Sequence, residues 1–314
     1  MDTTILGRTG LMVSVMGLGC GGPSRLGQSY ERPEAESIRV VECALDLGVN
    51  VIDTAEAYRT EEIVGKGIRG VRREDVILST KKSIMARGEG PASPEALRKG
   101  LEESLRRLDT DYVDVYHFHA VHPDQYDYVR NVLVPEAMRL RDEGKLRFIG
   151  VTEYFEKDQR HEMLDRALGD DCWDVFMVGF NILNQSAREA VFARAIEQNI
   201  GILDMFAVRR AFSRPERLKE ILRDLIEAGQ VDSADLDMEN PLGFVVESGA
   251  AESLSEAAYR FCRHEPGMHV VLSGTGSLEH LEENARALNQ PPLPEKVHHR
   301  LREIFRKADL VTGS

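Results

Sequence analysis

Short runs of β-branched and apolar residues alternate with longer amphipathic stretches along most of this chain, and that alternation limits its fold more than any other feature. The apolar runs fall near 15–19, 51–53, 76–81, 113–119, 148–151, 175–178, 202–206 and 270–273, giving eight candidate strands. Between them, 33–47, 94–108, 159–168, 187–198 and 255–263 carry apolar residues three and four apart, the period of a half-buried helix. Ser93 before Pro94 adds a capping hydroxyl followed by proline in the first turn.

Strands that alternate with helices must run parallel, so the chain is predicted to be α/β. Its 314 residues suit two average domains or one large barrel. Eight βα units with no intervening linker favour the second, a (β/α)8 TIM barrel spanning 1–314 as one domain. No G-x-G-x-x-G turn opens a first βα unit, which weakens the open Rossmann alternative. Two regions exceed the repeat. The stretch 209–240 is too long for a βα loop, and 214–227 reads as an added helix over the barrel mouth. Extra C-terminal helices are expected within 278–308, at 278–287 and 294–308, the last against the barrel exterior.

Charge narrows the function classes. Lys and Arg total 40 against 53 Asp and Glu, a net charge of −13, which opposes binding to nucleic acid or to an anionic membrane. Cys20, Cys43, Cys172 and Cys262 are far apart and suggest neither a zinc site nor a disulfide framework. No targeting segment or bilayer-length apolar run is evident, so a soluble, cytoplasmic protein is expected, with no metal assigned.

In such a barrel the chemistry lies at the C-terminal ends of the strands. There the sequence offers Asp53, then Tyr58; Lys81 and Lys82; and His117 and His119. Each has an ordinary structural reading, since a strand-end Asp caps helices, Lys is usually solvated, and a lone Tyr or His usually packs. Together they suit carbonyl reduction. A phenol with pKa near ~10 exchanges protons poorly at neutral pH unless a cation eases its ionisation, and a buried lysine keeps its charge only beside a carboxylate. Lys81 and Lys82 point to opposite faces, so only one enters the barrel, whereas His117 and His119 share a face.

The stretches LGRTGLMVSVMGLG, GVNVIDTAEAYRTEEIVGKGIRG, REDVILSTKK, LRRLDTDYVDVYHFH, GKLRFIGVT and SGTGSLEHLEENARAL resemble the aldo-keto reductase superfamily over nearly the whole chain. The resemblance implies a barrel closed at its base by an N-terminal β-hairpin, 4–15, and a nicotinamide cofactor lying across the mouth. It implies Asp53, Tyr58, Lys81 and His119 as the catalytic set, with Tyr58 the proton donor. Family spacing selects Lys81 over Lys82 and His119 over His117, which would line the barrel beneath it.

The implied coenzyme contacts match less completely. Gly21 and Gly22, in the glycine-rich run 17–22, would admit the ligand beside Asp53. Thr152 and Glu153 stand where the family has Ser-Asn on the nicotinamide carboxamide, Met177 where it has Gln, and Phe206 where an aromatic stacks on the ring. Glu153 could accept from the carboxamide NH2, and its charge would favour the oxidised, cationic ring, a hint towards dehydrogenation. Gly274, Thr275, Gly276 and Ser277 are expected at the adenosine phosphates, with Glu283 and Asn284 on adenine. Gly276 and His280 occupy the positions of a 2′-phosphate grip, while Arg209 and Arg210 offer charge for the pyrophosphate or that phosphate. The cofactor is read as NADP, with NAD open. The substrate is read as a small carbonyl compound or alcohol, its pocket shaped by 209–240 and 122–127. The rivals are a nicotinamide-binding sensor with little turnover and a redox-neutral epimerase.

Overall fold

All eight apolar runs become strands of one closed parallel barrel in the computed structural model, which describes residues 1–86 and 90–314. Two short strands precede it. β1 (Thr3–Ile5) and β2 (Met12–Ser14) pair antiparallel as the expected hairpin. The barrel order is β3 (Met16–Gly19), β4 (Val51–Asp53), β5 (Ile77–Ser83), β8 (Val113–Val121), β9 (Leu146–Glu153), β10 (Val175–Gly179), β11 (Gly201–Met205) and β12 (Val270–Ser273), which returns to β3. The intervening β6 (Met85–Ala86) and β7 (Gly90–Pro91) form a separate two-stranded ribbon.

Side-chain alternation divides the core in two. One cluster fills the bore, with Val51, Ile77, Val115, Val175, Met177, Leu203 and Val270 meeting Leu6, Leu11 and Val13 of the hairpin. The hairpin thus plugs the base with apolar residues and leaves polar groups the other end. A larger cluster lies between strands and helices. Helices follow the expected segments, including Pro94–Leu108, whose N-cap Ser93 Oγ accepts the Ala96 N–H at 3.2 Å. Pro215–Glu227, Leu278–Leu288 and Glu295–Ile304 are the added helices. Among the described residues no helix is long and apolar enough to cross a membrane.

Two helices differ from expectation. The segment 187–198 opens with a π-helical stretch, Arg188–Phe192, before Ala193–Glu197. The segment 159–168 narrows to Glu162–Ala167, because His161 takes left-handed backbone angles (φ 62°) and Asp158 caps the helix from outside, accepting the N–H groups of Glu162 and Met163 at 2.9 Å each.

Candidate active site

The strand ends bring four groups to one rim. Asp53 ends β4 and pairs in register with Ser79 on β5, while Lys81 on β5 lies level with His117 on β8 and Ser83 level with His119. Lys81, 1% exposed, donates to Asp53 Oδ2 at 2.5 Å and to the Thr54 carbonyl at 2.8 Å. Ser79 Oγ donates to the other Asp53 oxygen at 2.7 Å. A buried ammonium so partnered keeps its charge. Burial pulls the Lys81 pKa down, yet Asp53 and Tyr58 push it further up, and the balance lies above the ordinary lysine value. Lys82 points the other way, to Glu56 at 2.6 Å.

Tyr58 ends a short turn, Glu56–Tyr58, that the left-handed Arg59 closes. The turn is braced on three sides. Thr60 Oγ1 bonds the Cys20 carbonyl at 3.1 Å and Thr54 Oγ1 at 2.9 Å; Arg25 Nε donates to the Tyr58 carbonyl at 2.9 Å. Buried Glu61 accepts from Thr80 Oγ1 at 2.6 Å and Arg107 Nε at 2.7 Å. The Tyr58 hydroxyl lies 3.4 Å from His119 Nε2, and Lys81 Nζ lies 4.8 Å from the ring centroid. Burial raises the phenol pKa, against the lowering pull of Lys81, so Tyr58 is protonated at neutral pH. Burial, then Lys81, push His119 down to about 3, so its imidazole is neutral there. His117 lies deeper, in space that only a glycine at 150 leaves, since a Cβ there would be 2.3 Å from its Nδ1.

Above these groups opens a cavity of about 380 Å³ lined by Asp53, Tyr58, His119, Gly21, Gly22, Thr152, Glu153, Met177, Phe206, Arg209 and Gly274. The lining holds three of the candidate catalytic set, with Lys81 buried behind Asp53, together with most of the candidate coenzyme contacts. Phe206 has φ 80°, a conformation that a bulky residue adopts only when its surroundings hold it, and the Arg209 guanidinium lies 4.0 Å from its ring centroid. A glycine rim, a fixed aromatic face and a cation suit a flat ring carrying phosphates.

Other candidate positions are already engaged by the protein or lie apart from this cavity. Glu153 has no exposed side-chain surface; His161 Nδ1 and the Gly179 N–H hold its carboxylate, so it would have to leave them to meet a carboxamide. A Cβ on Gly21 would lie 2.4 Å from the Tyr58 ring, which makes this glycine a neighbour of the phenol as well as of the cavity. Thr275, Gly276, Ser277, His280, Glu283 and Asn284 lie outside the cavity. Gly276 is pressed on the backbone of Gly27, Ser277 caps its own helix, and the Asn284 amide donates to Ser273 Oγ at 2.9 Å. His280 and Glu283 are exposed. The segment 122–127 does not line the cavity; 154–156 does, with His122 edge-to-face against Tyr154.

Residues 16–306 match the sequence pattern of the Aldo/keto reductase family. The chain belongs to that family. As an aldo/keto reductase it is an NAD(P)-dependent oxidoreductase of small carbonyl compounds by family. It is 37% identical to L-galactose dehydrogenase of Arabidopsis thaliana over 158 residues, a likeness that spans 48% of either chain. It is 28% identical to probable aldo-keto reductase 1 of Glycine max over 96% of this chain and 87% of that one. An aldo-keto reductase of Bacillus halodurans, solved in its holo form, superposes with a TM-score of 0.75 at 24% identity over 99% of this chain and 98% of its own. At that identity the superposition speaks for the fold alone.

Proposed function

We propose that this aldo/keto reductase interconverts a carbonyl group and an alcohol at the rim formed by Tyr58, Lys81, Asp53 and His119. The observation that carries the reading is a phenol and an imidazole lining one cavity, with a buried, paired ammonium directly behind the phenol. A bound nicotinamide would supply or take the hydride. Thr152, Met177 and Phe206 would flank its ring, Gly21, Gly22 and Gly274 would admit it closely, and Arg209 would meet its phosphates.

In the reducing direction Tyr58 gives its proton to the oxygen as negative charge develops there, and Lys81 stabilises the phenolate left behind. Asp53 keeps Lys81 charged and fixed in place. His119, neutral and 3.4 Å from the phenol, positions the same oxygen by a hydrogen bond. In the oxidising direction the proton returns to Tyr58. Aldehydes, ketones and sugars are the proposed substrates, and the likeness to an L-galactose dehydrogenase supports including sugars.

NADPH is the proposed partner, with NADH the alternative that Arg209 alone does not disfavour. The test is a matched fluorescence titration with NADH and NADPH, followed by a panel of aldehydes, ketones and sugars with the preferred coenzyme. Saturable binding and carbonyl-dependent coenzyme oxidation are expected. Binding without turnover of any carbonyl or alcohol would instead favour the sensor reading.

A further inference from the structure

His161 is wholly buried, and its two ring nitrogens face different partners. Nδ1 lies 3.0 and 2.9 Å from the two Glu153 oxygens, and Nε2 lies 3.0 Å from Ser186 Oγ. Counting protons decides which nitrogens carry hydrogen. Ser186 has one O–H and two acceptors besides His161, Asn184 Oδ1 at 2.6 Å and the Gln159 carbonyl at 3.1 Å. The orientation of Asn184 is fixed, because its Nδ2 donates to the Gln159 and Val311 carbonyls and its Oδ1 accepts the Ser186 N–H. Were Nε2 bare, Ser186 would turn its proton to it and leave two oxygens 2.6 Å apart with no hydrogen between them. Ser186 therefore donates to Asn184 and accepts from Nε2–H. Nδ1 is nearly equidistant from both Glu153 oxygens, as an N–H shared by a carboxylate would be, and the Gly179 N–H donates to the same carboxylate at 2.7 Å.

The pair belongs to a closed ring of contacts. Phe155 stacks on His161 with centroids 5.4 Å apart and planes at 14°, and a Cβ on Gly179 would lie 2.2 Å from the Phe155 ring. Glu153 holds Gly179, Gly179 abuts Phe155, Phe155 covers His161, and His161 returns to Glu153. Phe155 then meets Phe206 at 5.4 Å and 82°. Phe206, with its positive φ, has Phe155 on one side and Arg209 over its ring.

We infer that Glu153 and His161 are a buried carboxylate–imidazolium pair that positions the Phe155–Phe206 platform of the proposed coenzyme site. Both are positioning residues. The imidazolium also cancels the Glu153 charge, so the anion no longer biases the ring towards its oxidised form.

This inference rests on the proposed coenzyme site, so the tests have two arms. Nitrogen NMR of the 15N-labelled full chain at neutral pH reads the His161 ring, assigned by its change in Glu153→Gln. Two protonated ring nitrogens are expected; a bare Nδ1 or Nε2 would overturn the pair. Fluorescence titration then compares coenzyme affinity in the wild type, Glu153→Gln and Phe155→Leu, each well below its thermal midpoint. Both variants are expected to raise Kd about tenfold. Phe155→Leu leaves the ion pair intact, so its ring nitrogens should stay protonated. Wild-type binding with unchanged Kd in both variants would overturn the positioning role. Absence of wild-type binding would remove the coenzyme site itself and the positioning role with it, while the NMR arm would still decide the pair.

Discussion

The Lys81 ammonium lies 4.8 Å from the centre of the Tyr58 ring, buried and held there by Asp53. At that range a unit charge changes a phenol's ionisation by several kcal/mol at the effective dielectric of a protein interior, about 4 kcal/mol at ~4 Å. Lys81 thus limits the rise that burial imposes on the Tyr58 pKa. Reduction needs the phenol protonated and so holds below that pKa; oxidation needs phenolate and so climbs towards it. In Lys81→Met the pKa rises further. Oxidation between pH 7 and 9 should then fall by about a hundredfold or more, its rising limb moving to higher pH. Rate profiles in both directions check the sign.

His119 is pushed down to about 3, so it stays neutral across the usual working range. Profiles between pH 5 and 8 should therefore contain no inflection that disappears in His119→Gln. That substitution should still raise KM and lower kcat, since it alters the group 3.4 Å from the phenol.

Gly21→Ala separates two roles. A Cβ there would come within 2.4 Å of the Tyr58 ring, and the phenol must move to admit it. Turnover should drop by about ten- to a hundredfold, because small misplacements of a reacting group are costly, with coenzyme Kd changed much less. A Kd that rises as far as turnover falls would assign the glycine to coenzyme contact instead.

Asp53→Asn leaves the Lys81 ammonium buried with only the Thr54 carbonyl and a neutral amide. Removing one partner of a buried pair costs about 3–5 kcal/mol. Chemical denaturation should register that loss, and Asp53→Asn combined with Lys81→Met should recover part of it.

The barrel was legible because its signal is periodic: each apolar run became a strand, and the alternation of side chains put Lys81 inside and Lys82 outside. The rim was legible for the same reason, since strand ends share one face. The hold on Glu153 was not legible because its partner depends on a turn. His161 reaches back eight residues only after 154–161 has folded around a left-handed backbone. The stretch 275–284 carries a local phosphate signal, yet Gly276 lies against Gly27, a contact between distant segments that no local pattern announces. Likewise Thr60, Glu61 and Arg25 brace the Tyr58 turn through bonds to separate strands and helices.

Stopped-flow single turnover of Tyr58→Phe, beside the wild type and with saturating reduced coenzyme and a carbonyl substrate, isolates the proton-exchange step. Its coenzyme Kd should match that of the wild type, while coenzyme oxidation slows by about 10²–10⁴-fold, the usual contribution of a positioned acid. Coenzyme oxidation as fast as in the wild type would contradict Tyr58 as the proton donor.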